Sequence, residues 1–411
     1  MPNTNESARA FESLGISPAV LGRITRLGFK QPTPIQLQSI PHVLEGKDLI
    51  GIAQTGTGKT GAFMVPILTK LGGGNGIRVL VLAPTRELAL QIHEMTKKLA
   101  EPHIRIVTLI GGAAMRPQED ALRRRPDIVI ATPGRLIDHL NRKTIRLETL
   151  RVLVLDEADR MLDMGFLPQV TRILDHVPKE RQTMLFSATM PNDIVTLSSR
   201  YMLNPVQVAV ARSGETATRV TQEVFEVARE RKLDLLLHIL KQNEGKTALV
   251  FVRTKHGADK IARILFREGV SVTAIHSNRS LNQRLKALEG FRRGVYRVLI
   301  ATDIASRGID VANINLVVNF DMPHVAEDYV HRIGRTARVA ATGHAMSFVS
   351  GDERPQLRAI ERLIQKEIPR GAMPEHIPAL PPAIAHPSRP AVRRFGGRRF
   401  GGRGGSRGWS R

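Results

Sequence analysis

The segment Ala53-Gln-Thr-Gly-Thr-Gly-Lys-Thr60 follows an apolar run, Asp48–Ile52, and precedes a helix-like stretch, Gly61–Leu71. A glycine-rich turn closed by Lys-Thr wraps phosphate only where a strand delivers it and a helix N-terminus receives it. That requirement sets a strand–loop–helix unit, the building block of parallel sheets covered by helices. Ala53 stands where the strict pattern has a first glycine, so the match is to the relaxed form. In this reading Gln54, Thr55, Gly56, Thr57 and Gly58 form the cradle, Lys59 reaches the β- and γ-phosphates, and Thr60 holds magnesium.

Ninety-seven residues after Lys59, the run Arg151–Leu155 ends in Asp156-Glu157-Ala158-Asp159. Carboxylates at a strand end supply the other half of a nucleotide site. Asp156 is expected to reach magnesium through water, because that ion gives up its hydration reluctantly. Glu157 is expected to orient or deprotonate the attacking water. An acidic cluster alone could be solvated surface; after a phosphate loop, in this order, it predicts hydrolysis of a nucleoside triphosphate.

Short β-rich runs alternate with longer amphipathic stretches along the rest of the chain. The first half has six strand candidates: Asp48–Ile52, Arg78–Ala83, Arg105–Ile110, Asp127–Ala131, Arg151–Leu155 and Gln182–Phe186. The second half has six more: Glu223–Val227, Thr247–Val252, Ser271–Ile275, Arg297–Ala301, Ile314–Phe320 and Ala345–Val349. At 411 residues, this pattern predicts an α/β protein of two similar domains. The expected boundaries are a first domain over 1–206, a linker over 207–218 and a second domain over 219–370. Residues 371–411 turn Pro-rich and then Arg/Gly-rich, and are expected to be a disordered tail. Gly72-Gly-Gly-Asn-Gly76 reads as a loop, since no Lys-Ser/Thr follows in register.

The chain carries a formal net charge of +23, which points to a polyanionic partner. Eight arginines after Pro387, with no acid, account for +8 and leave +15 on the other 386 residues. Cysteine is absent, which excludes disulfides, thiolate metal sites and cysteine nucleophiles. No apolar stretch approaches a membrane span and the N-terminus has no apolar signal core, so a soluble, cytoplasmic protein without membrane contact is expected. His93-Glu94 lacks a second histidine at Lys97, which removes the zinc-helix reading.

Asp156-Glu157-Ala158-Asp159 is also the signature of DEAD-box RNA helicases, and further segments similar to that family follow in order. The resemblance implies two tandem RecA-like domains and RNA-stimulated hydrolysis of ATP with magnesium. Gly28-Phe-Lys-Gln-Pro-Thr-Pro-Ile-Gln36 resembles the adenine-reading segment, with Gln36 on the base edge, Phe29 packed near it, Gln31 nearby and Phe11 as its upstream aromatic. Ser187-Ala188-Thr189 resembles the motif that couples hydrolysis to strand separation, together with Asp159. Ala301-Thr-Asp303 and Arg307–Asp310 resemble the fifth motif, which implies Thr302 near RNA and Asp310 at the ribose. His331-Arg-Ile-Gly-Arg335-Thr-Ala-Arg338 resembles the sixth, which implies Arg335 and Arg338 as arginine fingers and His331 against the DEAD segment.

The RNA-facing segments of the family match at Pro84-Thr85-Arg86, Gly111-Gly112 and Thr132-Pro133-Gly-Arg135. The resemblance spans Phe11 to Ile368, and the Phe11–Ile16 opening with the Arg/Gly tail looks most like RhlE-type members. Ala337 and Ser277 replace frequent glycines of the family, and Leu281 replaces the Gln of a Gln-x-x-Arg element whose Arg284 survives. Reduced coupling between the domains is expected from that last change.

The resemblance implies local, non-processive separation or remodelling of RNA duplexes and RNA–protein complexes by a monomer. Ribosome assembly or RNA decay, with their protein partners, would fit. Two alternatives stay open on the sequence: a DNA translocase of the same superfamily, and an RNA chaperone or ATP-gated clamp.

Overall fold

The computed structural model describes residues 11–54, 56–210, 220–303, 314–336 and 343–378. The first half opens with α1 (Pro18–Arg26) and α2 (Pro34–Leu44). It continues through β1 (Leu49–Ile52), α3 (Lys59–Lys70), β2 (Val79–Leu82), α4 (Arg86–Leu99), β3 (Ile106–Leu109), α5 (Met115–Arg123) and β4 (Ile128–Ala131). It closes with α6 (Pro133–Asn141), β5 (Val152–Asp156), α7 (Ala158–Asp163), α8 (Leu167–His176), β6 (Gln182–Ser187), α9 (Asn192–Tyr201) and β7 (Val206–Ala209). The seven strands form one sheet in the order β3-β4-β2-β5-β6-β1-β7, with every pair parallel.

The second half holds β8 (Val220–Glu226), α10 (Lys232–Gln242), β9 (Ala248–Phe251), α11 (Lys255–Arg267), β10 (Val272–Ile275) and α12 (Leu281–Arg292). Then come β11 (Val298–Ala301), β12 (Leu316–Asn319), α13 (Ala326–Ile333), β13 (Gly343–Val349) and α14 (Arg354–Ile364). Its six strands lie in the order β10-β11-β9-β12-β13-β8, again all parallel. Two RecA-like domains result.

The central strands are short and apolar throughout because helices cover both faces of each sheet. The period of two then divides each strand between two cores. In β2, Val79 and Val81 pack into one cluster with α3 and α4, and Leu80 and Leu82 into the other with α6 and α8. In β11, Val298 and Ile300 face one cluster, Leu299 and Ala301 the other.

Two boundaries differ from expectation. Val206–Ala209 pairs along β1 as a seventh strand, so the first domain runs past residue 206 into what read as linker. A short β-branched run after Asn-Pro looks like a hinge until the edge it completes is known. Residues 371–378 are bound to the second domain: Gly371 N–H donates to Val224 O, and Ile377 is buried. Pro374 and Pro378 mask these anchors in sequence. The expected Arg/Gly tail lies beyond the described residues, as do Thr55, Asp310, Ala337 and Arg338.

Candidate active site

Because all strands of a sheet are parallel, their C-terminal ends share one edge, and every segment singled out in the first domain leaves from it. The phosphate loop follows β1, the carboxylates follow β5 and Ser187 ends β6; these three strands are neighbours. Gly56 and Gly58 take left-handed backbone, φ 88° and 92°. Gly58 caps α3 and leaves the first N–H groups of that helix without a side-chain cap, which makes its N-terminus receptive to an anion.

Gly58 and Gly61 are forced by a neighbour as well as by the turn. A Cβ at Gly58 would stand 2.7 Å from Gln36 Nε2, and one at Gly61 2.5 Å from the same atom. Gln36 Nε2 donates to Gly58 O at 3.0 Å, and Gln36 Oε1 accepts from Thr33 N at 2.9 Å. Gln36 therefore ties the Phe29–Gln36 segment to the phosphate loop, with one amide proton and one lone pair left for a base edge. Phe29 and Gln31 are exposed on the same segment.

Lys59 is 6% exposed and its Nζ has no hydrogen-bond partner among the described residues. A buried ammonium without a partner is costly unless an anion completes it. Asp156, 2% exposed, lies within its field. Burial pushes the Asp156 carboxyl up to about 6, Lys59 opposes that rise, and Glu157 and Asp159 add to it. Thr60 lies beside Lys59 in the first turn of α3.

Glu157 adopts left-handed backbone (φ 52°), unusual for a residue with a Cβ. Its carboxylate lies 3.5 Å from Arg160, a charge contact between two buried side chains. Asp159 joins the other strand end: Oδ2 accepts from Ala188 N at 3.0 Å, Thr189 N at 2.9 Å and Thr189 Oγ1 at 3.1 Å. Ser187 Oγ accepts from Asp159 N at 3.2 Å and donates to Thr189 O at 2.7 Å. Four hydrogen bonds thus tie Asp159 to the turn after β6.

The second domain meets this segment. Burial, with Arg160 and Arg335 nearby, pushes the His331 imidazole far below its ordinary value, while Asp159 and Glu157 pull the other way. Arg335, 3% exposed, borders with Arg160 and His331 a gap of only about 10 Å³. Arg332 is structural: it forks onto Asp303 with two 2.7 Å bonds and stacks on Phe251. Since α13 ends at Ile333, Arg332 and Arg335 do not share one solvated helix face.

A second contact between the domains joins Glu87 and Arg284 at 2.8 Å, both mostly buried, with angles short of an aligned hydrogen bond. Leu281, one turn before Arg284, packs against the apolar cluster of the first domain. The position expected to weaken coupling thus touches the opposite domain through apolar surface. Glu87 and Arg160 escape sequence reasoning: each stands one residue past a segment singled out by its chemistry, and the groups each meets in the second domain, Arg284 for one and His331 for the other, are far off in sequence.

The expected RNA-facing turns follow β2, β3 and β4, the adjacent strands on the other side of β5. Thr85 caps α4 through Leu88 N at 3.2 Å, next to Pro84. Arg86 lies over Gly111-Gly112: a Cβ at Gly112 (φ 74°) would come within 2.1 Å of its guanidinium. Arg135 Nη2 donates to Ala113 O at 3.0 Å, and Thr132 and Pro133 start α6. The two arginines therefore brace the turns to one another, leaving their helix N-termini along one edge. Thr302 follows β11 in the other domain and is buried. Among the described residues no three His, Asp or Glu side chains form a metal cluster, and no helix is long and apolar enough to cross a membrane.

Residues 33–197 match the family of DEAD/DEAH box helicases and residues 231–340 the helicase conserved C-terminal domain. The DEAD-box ATP-dependent RNA helicase CshA of Geobacillus kaustophilus is 45% identical over 88% of this chain and 78% of its own. CshA of Bacillus subtilis is 42% identical over 88% and 73%. These relatives are of the CshA type, and nothing among them supports the narrower RhlE-type resemblance. Among solved structures, S. cerevisiae Dbp5 bound to RNA and ADP BeF3 superposes with a TM-score of 0.80 at 29% identity, covering 88% of this chain and 95% of that one. A DEAD box protein from Methanococcus jannaschii is 38% identical with a TM-score of 0.53, covering 88% and 99%.

Proposed function

Since the chain belongs to the DEAD-box ATP-dependent RNA helicases, ATP-hydrolysing enzymes, we propose that its two domains grip ATP between them and separate short RNA duplexes locally. The observation that carries this reading is Lys59: a buried ammonium with no hydrogen-bond partner among the described residues, at a helix N-terminus, in the field of a carboxylate whose charge is held back by burial. A triphosphate supplies the missing anion. Magnesium, held by its oxygens and by water beside Thr60 and Asp156, would neutralise their charge.

Arg335 and His331 reach the DEAD segment only because the second domain sits against the first. Completion of the site is thereby tied to the arrangement of the domains, and with it to anything lying across both. The chain resembles Dbp5 bound to RNA and a nucleotide analogue more closely in overall shape than it resembles the archaeal protein of higher identity. For a two-domain chain that difference reflects how the domains are set together, which supports RNA lying across the turns after β2, β3, β4 and β11. Recognition would run through backbone phosphate and 2′-hydroxyl groups, independent of sequence.

Steady-state ATP hydrolysis alone, with single-stranded RNA, and with single-stranded DNA of equal length tests the reading. Stimulation by RNA only is expected. Equal stimulation by both would indicate a translocase, and RNA binding without stimulation a clamp or chaperone.

A further inference from the structure

The parallel sheet that gathers the site at one edge leaves the opposite pole of the first domain without an assigned role. There α5 and α6 end side by side, and their ends are crowded with cations: Arg123, Arg124 and Arg125 at the end of one, Arg142, Lys143 and Arg146 after the other, all exposed. Arg123, Arg125, Lys143 and Arg146 line an open concavity of about 420 Å³, with Glu148 its one acid. Arg123 pairs with Asp120 at 3.1 Å and Arg142 approaches Glu119 at 3.7 Å. Arg124, Arg125, Lys143 and Arg146 make no ion pair among the described residues, although other arginines of this domain find carboxylates readily.

A cation at a helix C-terminus complements the helix dipole, and one or two would do so. Six around two helix ends exceed that need. Backbone strain adds an independent mark. Arg125 (φ 50°) and Lys143 (φ 55°) occupy the left-handed position that follows each helix, where glycine or asparagine is the low-cost choice. A β-carbon there is disfavoured by its approach to the following carbonyl oxygen. Both helices accept that cost, and both spend it on a positive charge aimed at the same concavity.

We propose that this pole is a second docking surface, for the phosphate backbone of a structured RNA, which works without nucleotide. The cations without partners supply charge, and the arginine forks match phosphate oxygens. An acidic protein is the weaker fit, because a protein interface needs apolar or aromatic anchors. None of the exposed large apolar residues among the described ones, such as Phe266, Leu203 or Val295, lies there. A structured RNA held at this pole would keep another of its segments near the turns after β2, β3 and β4, which raises the effective concentration of substrate. The inference rests on the chain acting on RNA, and adds to it where a second contact is made.

The test uses the full chain carrying Arg125→Asn and Lys143→Asn together with Arg124→Gln and Arg146→Gln. Asparagine tolerates the left-handed backbone, so these changes remove charge while relieving strain, and the thermal midpoint should not fall. Without nucleotide, affinity for a hairpin RNA with a long single-stranded arm should drop roughly tenfold or more at low salt. The slope of log affinity against log salt should flatten by about 3 to 4, the range for four lost phosphate contacts. Stimulation of ATP hydrolysis by a short single strand should stay at the parent level. An unchanged hairpin affinity and salt slope would overturn the proposal, and so would an equal loss with the short strand, which would place the cations in the main site. Failure of the short strand to stimulate the parent chain would instead overturn the RNA reading of the strand ends.

Discussion

Two lysines are buried among the described residues, one in each domain, and they are treated in opposite ways. Lys232 is 1% exposed and fully provided for: its Nζ donates to Glu353 at 2.5 Å and to Phe320 O at 2.8 Å, with Asp321 at 3.9 Å. Arg253 completes the cluster at 2.6 Å from Glu353. Lys59 is 6% exposed and has none of this. Folding alone would not retain a buried charge without a hydrogen bond, because desolvation costs several kcal/mol per ion. The difference teaches which cation the fold needs and which one a ligand needs. A satisfied buried charge fixes a domain; an unsatisfied one marks where an anion belongs.

Substituting the two lysines should separate those roles most sharply. Lys59→Ala should cut ATP hydrolysis by about a thousandfold, since it removes a donor to the transferring phosphate, while the thermal midpoint holds or rises. Lys232→Ala should do the reverse, destabilising the second domain by about 3 kcal/mol in denaturant unfolding. If Lys59→Ala destabilises as much as Lys232→Ala, the contrast drawn here is wrong.

Asp156 extends the comparison to a carboxylate. Its folded value near 6 lies above the unfolded value of 3.8, so the ionised form costs stability. That cost is complete above the folded value and disappears as pH falls through the window toward the unfolded one. Asp156→Asn should therefore abolish hydrolysis yet stabilise the nucleotide-free protein by about 3 kcal/mol at pH 8. The gain should shrink toward pH 4, read from thermal midpoints across that range.

The Glu87–Arg284 pair is the corresponding test between domains. A double-mutant cycle with Glu87→Gln and Arg284→Gln should show coupling of about 1–2 kcal/mol in the RNA concentration for half-maximal stimulation, with little change in basal hydrolysis. Leu281 should give the smallest effect. Leu281→Gln replaces apolar contact with an amide and should raise that same RNA concentration two- to fivefold. A fall instead would mean that leucine weakens coupling here, as its place in the Gln-x-x-Arg element suggests.

The candidate site segments stood out in the sequence because such residue types are chosen by ligand chemistry and sit next to one another in the chain, and the structure sets them at neighbouring strand ends. The loop ending in Lys59-Thr60 and the Asp156–Asp159 cluster both read directly from order and spacing. The β7 edge strand and the docked 371–378 segment did not, since an edge strand is defined by its neighbour and a docked coil by the surface beneath it. Gln36 shows the same limit within one residue. Its motif points at a base, whereas its contacts also lock Thr33 to Gly58.

Sequence alone determined the strand–loop–helix units, the two α/β halves and the residues able to handle a triphosphate, because backbone periodicity and phosphate chemistry act locally. Tertiary structure decided the rest. It left Lys59 unpaired and Lys232 satisfied, turned Arg332 into a structural pillar while bringing Arg335 to the DEAD segment, and joined Glu87 to Arg284 across the domains. It also sent the cations after α5 and α6 to the far pole. Charges act through space, and the distance between two of them is fixed only when the sheets, and then the domains, have packed.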